Sequence, residues 1–197
     1  MHGLIIRSIH CFLRDNHGPE VWRAVAAGTP FAQADIDVLR DYPGLCATEL
    51  IGAAAREIGQ PVPDLLEDLG VYLASHPSSA NVRRLLRFGG DSFTEFLHSL
   101  PELRDRAQLA VETLELPVLE LRQHYSGSYS LSVVAGETGS GHVLAGVLRA
   151  MADDYGSLVM LENVGRSGRA ETVSIQVLDL NFGTANAFDY LNVGVAS

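Results

Sequence analysis

Residues 85–103 read Leu85-Leu86-Arg87-Phe88-Gly89-Gly90-Asp91-Ser92-Phe93-Thr94-Glu95-Phe96-Leu97-His98-Ser99-Leu100-Pro101-Glu102-Leu103. A short helix enters this stretch through Leu85 and Leu86. The Gly89-Gly90 pair ends it, because glycine loses more backbone freedom in a helix than any other residue. A new helix starts near Asp91 or Ser92. Ser92 with Glu95 three residues on makes a capping box, which satisfies main-chain N–H groups that the first turn leaves unpaired.

Working back toward the N-terminus, the chain stays helical. Leu4, Ile5, Ile9, Phe12 and Leu13 fall close to helical spacing over residues 2–15. Asn16-His17-Gly18-Pro19 breaks that helix, and Pro19 suits the first turn of the next, which holds Val21, Trp22 and Val25. A loop rich in Gly, Thr and Pro precedes an Ala-rich helix over 46–58, which Gly59-Gln60-Pro61 stops. Residues 62–74 form another helix with Leu65, Leu66, Leu69, Val71 and Leu73 on its apolar face, and 75–79 is a turn.

Toward the C-terminus the period changes. Leu119 to Arg122 and Tyr129 to Val133 alternate as strands do, with Ser126-Gly127-Ser128 as a hairpin turn between them. A Gly/Ser/Thr loop over 136–141 leads into a helix at 142–154 carrying Val143, Leu144, Val147, Leu148 and Met151. Two more strands are predicted near 157–163 and 171–180, joined by Gly165-Arg166-Ser167-Gly168. Helices first, then an antiparallel sheet with one helix inserted, is an α+β plan. It reads as a single domain over residues 1–182 followed by a tail at 183–197.

The composition narrows the function. At 197 residues the chain can bury a sizeable core, and 47% hydrophobic against 19% charged residues is a globular balance. A net charge of −10 excludes the Lys/Arg surplus that nucleic acid requires and disfavours an anionic membrane surface. There is no apolar run of spanning length and no signal-peptide plan, so the cytoplasm is the expected compartment. Cys11 and Cys46 are too few for a disulfide framework or a cysteine zinc site; they read as small apolar fillers or as redox switches. No nucleophile elbow, P-loop, dinucleotide fingerprint or paired metal-ligand spacing is present, and the chain is not expected to be an enzyme. Gly136 to Gly141 resembles an anion-binding turn only superficially, lacking the Lys-Ser/Thr of a nucleotide site.

Several stretches, in order, resemble the H-NOX (haem nitric oxide/oxygen binding) family. Met1-His2-Gly3-Leu4-Ile5 is similar to its short start, Leu65 to Gly70 resembles its helix ending in Leu-Gly, and residues 85–103 look like its long helix, which leads to the haem-binding His. The helix from Gly141 to Tyr155 matches its inserted helix. The resemblance implies a distal helical part at 1–60 and a proximal part with the sheet at 61–182, with haem between them. It implies an iron-binding His and a Tyr-x-Ser-x-Arg clamp for the propionates. Imidazole ligates iron, and buried carboxylates need a guanidinium fork and hydroxyl donors.

Neither element is found. Counting from Phe96-Leu97, Arg104 stands at the His position, and a guanidinium has no lone pair to give a metal. The clamp falls on Tyr125-Ser126-Gly127-Ser128-Tyr129 or, counting back from Gly146, on Val134-Ala135-Gly136-Glu137-Thr138; in either register the Arg is missing. Oxygen-binding members place Tyr, Trp and Asn around the gas, whereas the corresponding Ile9, Leu73 and Val143 are apolar, which implies NO over O2 if haem b is bound. The pocket is expected to be lined by Ile5, Ile9, Leu73, Pro117, Val143 and Val147.

His98 and His142 are the candidate substitute iron ligands. His98 precedes Arg104 by six residues, so at about 100° per residue it points roughly 120° away from the proximal direction on a continuous helix; otherwise it is a packed structural residue. His142 opens the inserted helix, as a ligand or as a helix-start polar residue. The other five histidines are expected on the surface. Arg83, Arg84, Arg87, Arg104 and Arg106 concentrate positive charge on an acidic protein. They read as a counter-charge for a carboxylate ligand, as a contact for an acidic partner, or as a solvated face paired with Glu102 and Asp105. Asp153-Asp154 closes a helix against its dipole.

Two functions are expected. One is a stand-alone sensor, of NO if haem is bound, regulating an effector such as a diguanylate cyclase or histidine kinase. The other is a haem-free interaction module, or a carrier of another apolar ligand.

Overall fold

The computed structural model describes residues 2–29, 31, 36–168 and 170–178. Four helices come first: α1 (Gly3–His17), α2 (Pro19–Ala26), α3 (Leu45–Ile58) and α4 (Val62–Ser75). Pro19 sits in the first turn of α2, where its missing N–H has no partner to lose. Gly59 ends α3 in the left-handed conformation, its N–H returning to the Ala55 carbonyl. A 3-10 turn (Pro77–Ser79) leads to α5 (Ala80–Arg87), then α6 (Phe93–Ser99), a second 3-10 turn (Leu100–Glu102) and α7 (Leu103–Ala110). Ser92 caps α6 as predicted, accepting from the Glu95 N–H, while Glu95 returns a carboxylate to the N–H of Asp91, one residue before the cap.

The stretch compared with a long family helix, residues 85–103, is not one helix: it holds the end of α5, all of α6 and the second 3-10 turn, which Pro101 imposes before α7 starts at Leu103. The angular offset between His98 and Arg104, computed for an unbroken helix, therefore does not hold.

The sheet contains β1 (Val118–Tyr125), β2 (Ser128–Val134), β3 (Val159–Ser167) and β4 (Ala170–Val177), all antiparallel in the order β1-β2-β4-β3. Helix α8 (Ser140–Asp154) is inserted between β2 and β3. This is the predicted α+β plan, with one adjustment. Gly165, Arg166 and Ser167 belong to β3, Gly165 at an irregularity in its pairing, so the turn sits at Gly168. Strand β4 ends at Val177 and Leu178 lies beyond it; residues 179 and 180 of the predicted strand and the tail at 183–197 lie outside the described residues. Among the described residues no helix is long and apolar enough to cross a membrane.

Among the described residues the apolar side chains gather into two cores. The helical core gathers Ile6, Ile9, Phe12, Leu13, Leu50, Ile51, Leu65 and Leu69. The sheet core gathers Phe93, Phe96, Leu97 and Leu100 with Leu131, Val133, Leu148, Met151, Val173 and Ile175. Strands β2 and β4 bury every second residue against α8, the period a half-buried strand requires. Helix α4 serves both cores, giving Leu65, Leu66, Leu69 and Tyr72 to the helical core and Ala74 to the other.

The halves meet where α4 crosses α8, on two glycines. A Cβ on Gly70 would stand 2.1 Å from the Val143 carbonyl oxygen, and one on Gly146 would stand 2.0 Å from the Glu67 carbonyl oxygen. Backbone rests on backbone, with no room for a methyl group.

Candidate functional site

The expected pocket residues are only partly brought together. Ile5, Ile9, Leu73 and Val143 join the helical core, Ile9 within it and the other three half-buried at its margin. Val147 belongs to the sheet core, and Pro117 is half-buried just before β1. Val143 and Val147 flank Gly146, so they lie beside the seam where α8 rests on α4.

The residues at or near the haem-ligand positions sit in unlike surroundings. Arg104 lies half-buried on α7, without a hydrogen-bond or ion-pair partner among the described residues. His98 is exposed on α6, its ring edge-on to the buried Tyr129 of β2 at 5.8 Å between centroids. His142 is half-buried in the first turn of α8, its Nδ1 3.4 Å from Glu67 Oε1 of α4. Arg149, two turns further along α8, meets the other oxygen of the same carboxylate at 3.3 Å.

The segment counted as the propionate clamp has acquired a different use. After Val134 ends β2, Ala135 adopts φ 56, a left-handed conformation uncommon for a residue with a Cβ. The loop then folds onto the sheet. Arg166 of β3 donates to the Thr138 hydroxyl at 2.7 Å, and Glu171 of β4 accepts from the Gly139 N–H at 2.9 Å and the Gly141 N–H at 2.7 Å. A helix N-terminus exposes unpaired N–H groups and a partial positive charge, which a carboxylate satisfies. The anion-like turn at 136–141 is thus filled by the chain's own Glu171. Gly139 has no capping side chain of its own, which was the available hint, but nothing in the sequence pointed to a residue 30 positions away.

Other polar residues found partners the sequence did not announce. Asp15 at the end of α1 accepts from the Tyr72 hydroxyl at 2.7 Å, from Arg14 at 2.8 Å and from the Ser78 hydroxyl at 3.2 Å. Burial alone would raise its pKa, but these hydrogen bonds and the Arg14 charge outweigh it, and the carboxyl titrates below its ordinary value. Burial first, then the bond to Asp15, push the Tyr72 hydroxyl up to about 12. His76 stacks on Tyr72 with centroids 4.4 Å apart.

His2 corrects the expectation of a surface histidine. It is buried, caps α1 by accepting from the Leu4 N–H at Nδ1, and meets the Thr113 hydroxyl at 2.9 Å through Nε2. It thereby ties the start of α1 to the loop before β1. Asp154 is not left opposing its helix dipole: Arg83 of α5 forks onto it, Nη2 to Oδ1 at 2.7 Å and Nε to Oδ2 at 3.1 Å. Arg83 therefore does not pair with Glu102 or Asp105, and Arg106 donates instead to the Ser99 carbonyl at 3.1 Å.

A haem held in the manner the resemblance implies needs a neutral imidazole for iron and a guanidinium fork for two carboxylates. The residues at those positions do not fit it. Arg104 cannot ligate, and 134–138 has no arginine of its own; its Thr138 hydroxyl accepts from Arg166, while Glu171 takes the N–H groups of Gly139 and Gly141 that follow. Among the described residues no group of three or more His, Cys, Asp or Glu could hold a metal ion.

Comparison with known proteins agrees with this architecture. A mutant of the T. tengcongensis H-NOX protein superposes with a TM-score of 0.76 at 15% identity, covering 91% of this chain and 98% of that one. An H-NOX protein from S. oneidensis in the Fe(II)NO ligation state gives 0.73 at 14% identity, covering 91% and 100%. At such identities the likeness establishes the fold, which is that of H-NOX proteins. Soluble guanylate cyclase gcy-31 of Caenorhabditis elegans is 21% identical over 154 residues, which is 78% of this chain and 22% of that protein. The soluble guanylate cyclase subunit beta-2 of Rattus norvegicus is 26% identical over 121 residues, 58% of this chain and 18% of that protein. The chain spans about a fifth of the length of these relatives. The model of the haem-NO-binding family matches residues 2–163, most of the chain, and the chain belongs to that family.

Proposed function

We propose that this domain is a non-catalytic regulatory module that keeps the H-NOX fold and acts on a separate signalling enzyme by direct contact, without a haem held through a histidine and an arginine clamp. The observation that carries this reading is the fate of the haem-ligand positions. Arg104 cannot bind iron, and neither register of the clamp, 125–129 or 134–138, carries an arginine, while the turn after Thr138 is taken up by Glu171. The relatives named as soluble guanylate cyclases support a signalling role. We take a diguanylate cyclase or a histidine kinase as the effector class, as the resemblance implies. Signal transfer would work by shifting the population of two packings of the helical half against the sheet half, with the effector binding one better than the other.

The second reading is an NO sensor whose haem iron is held by His142 or His98. The half-buried position of His142 beside Val143 favours His142 of the two. It would require His142 to give up Glu67.

Titration with hemin separates the readings. The proposed module leaves hemin in a broad band that gel filtration removes. A sharp Soret band at about 400–430 nm that survives filtration and shifts on addition of NO would overturn it. In that event His142→Ala and His98→Ala identify the ligand by loss of the band.

A further inference from the structure

The arginines of α5 are put to unequal use. Arg83 turns to Asp154 and fixes the helix to the end of α8. Arg84 and Arg87 are exposed and meet no carboxylate among the described residues. Arg84 reaches Asn81 Oδ1 at 3.4 Å, and the Arg87 guanidinium lies 5.9 Å from the centre of the Tyr155 ring. Phe88, which follows, is 82% exposed, whereas Phe12, Phe31, Phe93 and Phe96 are all buried. These residues, with Ala80 and Arg83, line an open depression of about 440 Å³.

Such a patch is out of keeping with the rest of the molecule. The chain carries 24 acidic residues against 14 basic ones, and every basic residue is an arginine. Arg84 and Arg87, three positions apart on a helix, are side-by-side neighbours. Their planar forks match carboxylates bidentately, and an arginine beside an exposed aromatic ring is the composition of an interface centre. Two arginines on an otherwise acidic body are too few to track a phosphate backbone or an anionic bilayer, for which the long-range field is repulsive. A protein segment with matched carboxylates suffers less, because the charges meet at contact distance.

We propose that the outer face of α5 is a docking site for an acidic amphipathic segment of a partner protein. Two carboxylates of that segment meet Arg84 and Arg87, and an apolar side chain covers Phe88. This rests on the reading that the domain acts by protein contact. The Arg83–Asp154 fork would carry any displacement of α8 to this face, so that docking and the packing of the halves are coupled.

The test uses the full chain and a fluorescein-labelled amphipathic peptide rich in Glu and Leu, followed by fluorescence anisotropy at low and physiological salt. Wild type binds, more weakly at higher salt. Arg84→Glu/Arg87→Glu weakens binding on the order of tenfold or more. Phe88→Ser weakens it severalfold with the salt dependence kept. Arg122→Glu, which reverses an exposed arginine on β1, leaves it unchanged. Melting curves confirm that each variant is folded, as exposed positions allow. Absent peptide binding, or equal binding by wild type and the charge-reversed variant, overturns the proposal. So does capture of phosphatidylserine vesicles, or self-association, that depends on Arg84 and Arg87 while the peptide fails to compete. Hemin binding would sink the function proposed above without touching α5, whereas failure of the peptide sinks only the docking site.

Discussion

The helical half and the sheet half each have a core of their own, and each is pinned by one carboxylate, but the two carboxylates work differently. Asp15 gathers side chains: Tyr72 and Ser78 must be tyrosine and serine for the cluster to exist. Glu171 gathers main-chain N–H groups that any sequence would present at the start of α8. Of these two carboxylates, the one in the helical half thus acts on side chains and the one in the sheet half on backbone. Between them the contact is Gly70 on Gly146, backbone against backbone. A seam of this kind suits two whole bodies that shift against each other, since neither glycine can yield by repacking a side chain.

Breaking the seam should have the largest effect. Gly146→Val places a side chain into the Glu67 carbonyl and should cost on the order of 4 kcal/mol or prevent folding, measured by urea denaturation. An unchanged midpoint would mean that the halves do not rest on each other there. Next come the two cores. Leu50→Ala in the helical core and Leu131→Ala in the sheet core, both fully buried, should each cost about 3 kcal/mol. Hydrogen exchange then sharpens the comparison: joint loss of protection in both halves marks one cooperative unit, and separate loss marks two.

The carboxylate clusters give smaller effects. Tyr72→Phe should cost about 2 kcal/mol at neutral pH, the worth of a hydrogen bond to a charged acceptor. The folded protein holds the Tyr72 proton more tightly than the unfolded chain. That contribution is complete below the ordinary tyrosine pKa of about 10 and is lost as pH rises toward about 12. The gap between wild type and Tyr72→Phe should therefore narrow over that window. Asp15 runs in the opposite direction: its lowered pKa contributes stability above the ordinary carboxyl range, lost as pH falls through the folded value. Smallest is Glu171→Gln, about 1 kcal/mol, since one acceptor oxygen and the neighbouring helix N-terminus remain but the charge is gone. An effect larger than that of Tyr72→Phe would reverse the ranking of the two devices.

The sequence was most informative where the signal is local. Helical spacing placed α1, α3 and α4 within a residue or two, the Ser92 cap was legible from Glu95, and alternation in β2 and β4 predicted which residues are buried. Pro101 is an equally local signal, and its ring sets the 3-10 turn that separates α6 from α7. His2 looked like a surface histidine because its partner Thr113 is 111 residues away.

What the chain determined by itself was the order of helices and strands, the α+β plan, and the chemical incapacity of Arg104 to hold iron. These depend on periods, caps and functional groups acting within a few residues. Only the tertiary structure decided that Glu171 would fill the start of α8, that Arg83 would meet Asp154, that His142 would face Glu67, and that Phe88 would stand in water. The reason is physical. A carboxylate or a guanidinium takes whichever partner the packed backbone brings within about 3 Å, and that choice is made by surfaces that do not exist until the two halves have closed on their glycines.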